Sequence, residues 1–384
     1  MSSTLDDIGP RPSCSSSERA LGSKLEVDWK TFCDDTRAEP FMCAPQAFLG
    51  VIPICAAVSL LALMTVSYLP WVATALSLCA SLVIIWELLF YREVADPWFP
   101  QKEGTNIIGT ITPTHEVRRR VILSAHQDSA WEYNLWYWFK TAGVMVNVLG
   151  LIGMLAPAVV GILLGLELLP AISPAISWVC YGLVPFVALH LLFHTGNAVP
   201  GAMDDLAGVA VVTQLGRTLA KENLRNTEVL ILACAAEECG LRGAKRFVGK
   251  YSWVFHQIPT FDINIDGVYD EQYLTAVTRE LTTNTRHDLK LIELASAVAA
   301  KGGWTMERAV IPFGGTDAAA FANAGIRSTT LLCQDTRKLA PNYHTRLDTL
   351  DKVRPEALAA MHDVVAGMVR EIDTGILDDT QRQE

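Results

Sequence analysis

The chain has 384 residues, 51% of them hydrophobic and 19% charged, with a net charge of −10. That balance excludes a nucleic-acid binder, which needs a basic stripe, and Arg118-Arg119-Arg120 before the apolar run Val121-Ile122-Leu123 reads as a solvated strand start. A mean hydropathy of +0.26 is too apolar for an average soluble protein of this length, and the surplus sits in four blocks.

Residues 1–23 are rich in Ser and Pro, and residues 1–40 read as a disordered polar N-terminal tail. They contain no basic region leading into an apolar one, so no signal peptide is expected. The first apolar block runs from Ala47 to about Val66 and the second from about Trp71 to Phe90, with only Ser67–Pro70 between them. Each has about the 20 residues that a helix needs to cross ~30 Å of hydrocarbon. Phe48, Tyr68, Trp71, Trp86 and Tyr91 fall near the expected membrane interfaces. Residues 41–92 therefore form a first transmembrane hairpin.

A third block runs from Ala142 to about Gly165 and a fourth from about Ile172 to Phe193, joined by the short connector Glu167–Pro174. They predict a second hairpin over 141–194. Pro157 and Pro185 would break a soluble helix but are tolerated in a membrane one. The tight connectors carry no Lys or Arg, whereas Lys30, Arg37, Arg92 and Lys140 all flank the blocks on the other side. The positive-inside rule then makes this an integral multi-pass protein with its large domain, 93–140 and 195–384, in the cytoplasm.

That domain alternates two kinds of segment. Val121–Ala125, Glu228–Ala233, Phe261–Ile265 and Ser328–Leu332 are short, apolar and β-rich, while Asp204–Lys221, Leu241–Tyr251, His287–Ala300 and Arg354–Ile372 have helical period or composition. The pattern predicts an α/β fold with a mostly parallel or mixed twisted central sheet flanked by helices, plus four transmembrane helices in two hairpins. The nine Cys show no CxxC and no paired spacing, which suits free thiols in a reducing compartment rather than a disulfide framework.

Candidate metal ligands follow the strand-like runs. His126 ends the first, and Asp128, two residues on, points to the same side of an extended chain, where it can accept the other imidazole N–H. Pro200-Gly201-Ala202-Met203-Asp204-Asp205 leads into a helix; either Asp could cap that helix, and Asp204 could instead bridge two cations. Glu237 and Glu238 follow the second strand, where one can bind metal and the other stay free to move a proton. Asp266 ends the third strand, and His344 lies in a late loop after Tyr343. Two imidazoles, three carboxylates and a spare Glu suit a pair of zinc ions and a proton acceptor for water.

Taken together, HxD, PGAxDD, AAEExGLRGA, NID, FGGTDAAAFANAGI and YHT in this order are similar to the co-catalytic di-zinc aminopeptidase family. That group includes bacterial leucyl aminopeptidases, glutamate carboxypeptidases and glutaminyl cyclases. The resemblance covers about residues 105–140 and 195–372. It implies two Zn2+ per chain, with Asp204 bridging them, His126 and Asp266 completing one site, and Glu238 and His344 the other. It makes Glu237 the general base, Asp128 the partner of His126, and Tyr343 a group that helps stabilise the tetrahedral intermediate; Asp317 is implied as a helix cap or supporting group, not a ligand. No organic cofactor is implied.

The expected function is a membrane-anchored metallopeptidase, an aminopeptidase acting on peptide substrates. Because the second hairpin separates His126 from Asp204 in sequence, the site is expected near the bilayer surface, with membrane-proximal or hydrophobic peptides as substrates. Simple anchoring, or helix packing in a homo-oligomer, is the alternative use of the hairpins. Other functions on the same fold are a carboxypeptidase, which would need a basic pocket drawn from Arg242, Arg279, Arg308 or Arg327, a glutaminyl cyclase-like enzyme, and a non-catalytic receptor or scaffold.

Overall fold

A computed structural model describes residues 7–168, 173–337 and 342–378. The chain divides into two compact units, one of residues 1–45, 101–130 and 198–384, the other of residues 46–100 and 131–197.

The first unit is built on one mixed sheet. Its strands are β1 (Asp35–Cys43), β2 (Lys102–Ile111), β3 (Arg119–His126), β4 (Thr227–Cys234), β5 (Thr260–Val268), β6 (Leu274–Glu280), β7 (Thr285–Arg286), β8 (Glu307–Ile311) and β9 (Arg327–Cys333). They lie in the order β1-β2-β4-β3-β5-β9-β6-β7, with β8 on β6. The centre is parallel: β3 pairs with β4 and β5, and β5 with β9. The α/β layering predicted from sequence is borne out. The four apolar runs are the four central parallel strands, which are covered on both faces and so read as continuous hydrophobic stretches. Helices Ala207–Leu219, Arg242–Phe255, Leu289–Lys301 and Pro355–Asp373 flank them. The strands that sequence patterning did not separate out lie toward the two ends of the sheet. β1 carries Pro40, which an edge strand tolerates because it needs no inward N–H there.

The expected disordered tail is corrected over much of its length; residues 1–6 lie outside the described residues. Ser16–Trp29 is a helix, capped by the Ser15 hydroxyl accepting from the Glu18 N–H, and it buries Leu21, Leu25 and Trp29 in the main core. Those three residues recur every fourth position, the period of one helix face. Ser and Pro around them hid the stripe. Trp29 is fully buried, and its Nε1 donates to Thr213 Oγ1 at 3.1 Å. Asp35–Cys43 then adds an edge strand antiparallel to β2.

At the centre of the sheet Asp262 is buried and accepts from Ser124 Oγ at 2.8 Å and Ser328 Oγ at 2.7 Å. Burial pushes its carboxyl up to about 7. Unfolded, it titrates near 3.9. Between these values the folded chain holds the extra proton, so Asp262 makes stability fall as pH rises through that window, by at most about 1.4 kcal/mol per pH unit. Asp262→Asn is expected to flatten the dependence between pH 5 and 7, read by chemical denaturation of the full chain in detergent. Parallel profiles for the two proteins would contradict this.

The second unit is helical. Three of its helices, Ala47–Thr65, Pro70–Leu89 and Thr141–Gly165, are long and apolar enough to cross a membrane. Pro157 stays inside its helix because Ser77 bridges the gap in backbone bonding: its hydroxyl donates to Met154 O at 2.5 Å and accepts from Ala158 N at 3.1 Å. A neighbouring hydroxyl is one way membrane helices accommodate proline. The fourth block forms helix Ser173–Leu189 and a 3-10 turn, His190–Leu192. Its apolar stretch among the described residues, Ser177–Leu192, is shorter than a span requires, so four crossings are not established; Ile172 and the middle of the connector lie outside the described residues. The nine cysteines are free thiols.

Candidate metal centre

The candidate ligands gather at the C-terminal ends of the central parallel strands, where open α/β sheets build their sites. His126 is the last residue of β3, Glu237 and Glu238 follow β4, and Asp266 lies near the end of β5, where the register shifts between Ile265 and Val268. Asp204 and Asp205 sit in the turn Ala202–Leu206 that opens helix Ala207–Leu219, and the peptide between them is cis. Gly201 starts this turn at φ +62, and a Cβ there would lie 2.5 Å from Ser129 Cβ. Only glycine fits both constraints.

Asp204 is the hub. Its Oδ1 lies 3.0 Å from His126 Nε2, and its Oδ2 lies 3.1 Å from His344 Nε2. His344 Nε2 is also 3.3 Å from Glu238 Oε2, and His126 Nε2 is 4.0 Å from Asp266 Oδ1 and 3.9 Å from Glu237 Oε2. His126, Asp204 and Glu238 offer ligand atoms within 4.8 Å of one another, and so do His126, Asp205 and Asp266. All five ligand candidates and the spare Glu therefore converge.

The electrostatics favour a cation. Burial works against the charge on Asp204, but hydrogen bonds to His126 and His344 overcome it and hold the carboxyl well below its usual range. Burial raises Glu237 and Glu238 well above theirs; His126 opposes this at both, while Glu238 reinforces it at Glu237 and Asp204 at Glu238. Burial, then Asp204, lifts Asp266 to about 7. Burial disfavours a charged His126, yet Glu237, Asp128 and Asp204 hold it well above its usual value. Protons are thus drawn to where a divalent ion would remove the repulsion. Glu238 Oε1 is buried without a hydrogen-bond partner. An orphaned carboxylate oxygen among imidazoles and acids fits zinc, which takes mixed N and O donors.

Asp128 departs from its expected contact. Its Oδ1 is 3.5 Å from His126 Nδ1, too long for a good hydrogen bond. It instead accepts from the backbone N–H groups of Glu237 and Glu238, both at 3.1 Å. Its hydrogen bonds hold the loop that carries the two glutamates, with the His126 ring beside it. Tyr343 is half-buried, and its ring stacks on His344 with centroids 3.9 Å apart. Asp317 begins helix Asp317–Asn323 and is buried.

Asp348 was missed from sequence, and Asp205 was read only as a possible cap. Asp205 is the helix-capping acid: its Oδ1 accepts from Gly208 N at 3.0 Å, and its Oδ2 from His126 N at 3.3 Å. Its capping position was visible, but its bond to His126 was not. Asp348 accepts from Met203 N at 2.7 Å and Asp204 N at 3.2 Å, which pins the turn bearing Asp204. It lies four residues after His344, and nothing in that spacing identifies its partners.

The family model "Peptidase family M28" matches residues 190–369. Over that segment, somewhat under half of the chain, the sequence is similar to peptidase family M28. The match takes in Asp204, Glu237, Glu238, Asp266 and His344, while His126 and Asp128 precede it. Aminopeptidase YwaD of Bacillus subtilis (strain 168) is 28% identical over 176 residues, which cover 45% of this chain and 38% of that protein. The matched stretch thus spans well under half of that relative's length. The structure resembles an aminopeptidase from Aneurinibacillus sp. strain AM-1 with a TM-score of 0.59 at 15% identity, covering 96% of this chain and 92% of that one. It also resembles a zinc aminopeptidase from Bacillus subtilis, with a TM-score of 0.58 at 15% identity, covering 96% and 94%. At that identity the likeness is one of fold.

Proposed function

We propose that the chain is a membrane-anchored, di-zinc aminopeptidase. The observation that carries this is Asp204, whose two carboxylate oxygens each face a different histidine at 3.0 and 3.1 Å. One carboxylate shared between two ligand sets is the arrangement a bridged metal pair requires. His126 and Asp266 would hold one zinc, and Glu238 and His344 the other. Bound zinc supplies a lowered water pKa and a polarised scissile carbonyl.

The chain's own groups do the rest. Glu237 lies across from His126, is held through its backbone N–H by Asp128, and is buried. It takes the proton of the attacking water and returns it to the leaving amine. Tyr343, carried over from the family resemblance, is assigned to the oxyanion. A carboxypeptidase has less support. Arg242 Nε donates to Cys239 O at 3.0 Å and Arg327 pairs with Asp288 at 2.7 Å, so two of the four candidate arginines already have protein partners.

The apolar helices support anchoring, with four crossings in two hairpins and a cytoplasmic catalytic domain as the proposed topology. The hairpin inserted between β3 and Asp204 makes membrane-proximal or hydrophobic peptides the proposed substrates. Purified full-length protein is expected to cleave aminoacyl reporters, to lose the activity to a chelator and to regain it with zinc, with bilayer-embedded peptides cut faster than soluble ones. Absence of hydrolysis after zinc loading would count against the enzyme, and equal rates against the substrate class.

A further inference from the structure

Residues 9–18, N-terminal to every candidate ligand, touch three of the loops that carry them. Arg11 is fully buried. Its Nε donates to Gln127 O at 3.0 Å, its Nη1 to Pro200 O at 2.9 Å and Gly9 O at 3.0 Å, and its Nη2 to Gly201 O at 2.8 Å. Its backbone N–H donates to Ser129 Oγ, and its carbonyl accepts from Ser129 N, both at 2.9 Å. One planar guanidinium thus ties the loop after His126 to the turn before Asp204.

Two residues on, Ser13 Oγ donates to Asp128 Oδ2 at 2.6 Å, the oxygen that also receives the Glu238 N–H. Glu18 is buried and accepts from Ala236 N at 2.8 Å, next to Glu237, and from Cys14 N at 2.6 Å. These contacts reach backbone groups, the Ser129 hydroxyl or the supporting acid Asp128, never a ligand oxygen. Arginine is suited to this because its fixed fork spans several carbonyls at once, which a lysine ammonium on a flexible stem does not. Asp128, Asp205, Asp348 and Glu18 surround its charge.

We propose that residues 9–18 are a strap whose Arg11, Ser13 and Glu18 position the metal-ligating loops, so that the zinc affinity of the centre depends on them. The inference rests on the metal-centre reading above. Groups that orient metal ligands change affinity by about 10–100-fold when removed.

The test uses the full chain in detergent, zinc alone titrated against a chromophoric chelator, and thermal unfolding of the metal-free protein. Ser13→Ala is expected to weaken zinc binding by about 10-fold and Arg11→Lys by up to about 100-fold. Ser13→Ala should leave the metal-free unfolding temperature unchanged, and Ser13→Thr, which keeps the hydroxyl, should restore affinity. If Arg11→Lys does not fold, the Ser13 pair decides alone. Unchanged zinc affinity in Ser13→Ala, with the unsubstituted chain binding zinc, overturns the strap only. A chain that binds no zinc before any substitution overturns the metal centre and the strap together.

Discussion

Glu237→Gln is expected to lower kcat by about 10²–10⁴-fold while leaving zinc content and KM close to those of the unsubstituted protein. The amide matches the carboxylate in size, so the loop it stands on keeps its shape. That loop is held by backbone groups: the Glu237 and Glu238 N–H groups on Asp128, and the Ala236 N–H on Glu18. What the change removes is the proton acceptor. Steady-state kinetics with metal analysis on the same preparation separates this from loss of metal. A variant with normal zinc and normal kcat would remove Glu237 from proton transfer.

Asp204→Asn is expected to have a larger effect and a different signature. An amide presents one oxygen and one NH2, so it can face His126 or His344 as Asp204 does, but cannot accept on both sides. The charge that offsets two imidazoles and two cations is lost as well. Zinc binding should weaken by more than the about 100-fold typical of groups that merely orient ligands, and activity should fall with it. Asp205→Asn is the control. Asp205 caps the helix through Gly208 and meets the His126 backbone, and an amide oxygen can still accept one of those bonds. It should retain more zinc than Asp204→Asn.

The contrast between these two neighbours bears on what can be read from sequence. Adjacent aspartates after a Pro-Gly turn announce a cap, a ligand or both. Which acid does which depends on the backbone of the turn, and no side-chain pattern encodes that. The central strands were legible because parallel strands buried on both faces are nearly all apolar, as Val121–Ala125 and Phe261–Ile265 are. β1 was not, because an edge strand with Pro40 and several charges carries little hydrophobic signal. Arg11 shows a further limit. A charged residue in a Ser- and Pro-rich segment reads as solvated, and only the fold shows that its partners, Gln127 and Gly201, are more than a hundred residues away in sequence. His126 and His344 could be singled out by their strand-end and loop settings. Their convergence on one carboxylate could only be expected from the order of the motifs.

The most direct test of the dinuclear centre is the zinc content of the full-length chain after loading and removal of free metal. About two zinc per chain are expected, falling to about one or fewer in Asp204→Asn. A folded chain that stays metal-free, or that holds the same zinc with and without Asp204, would contradict it.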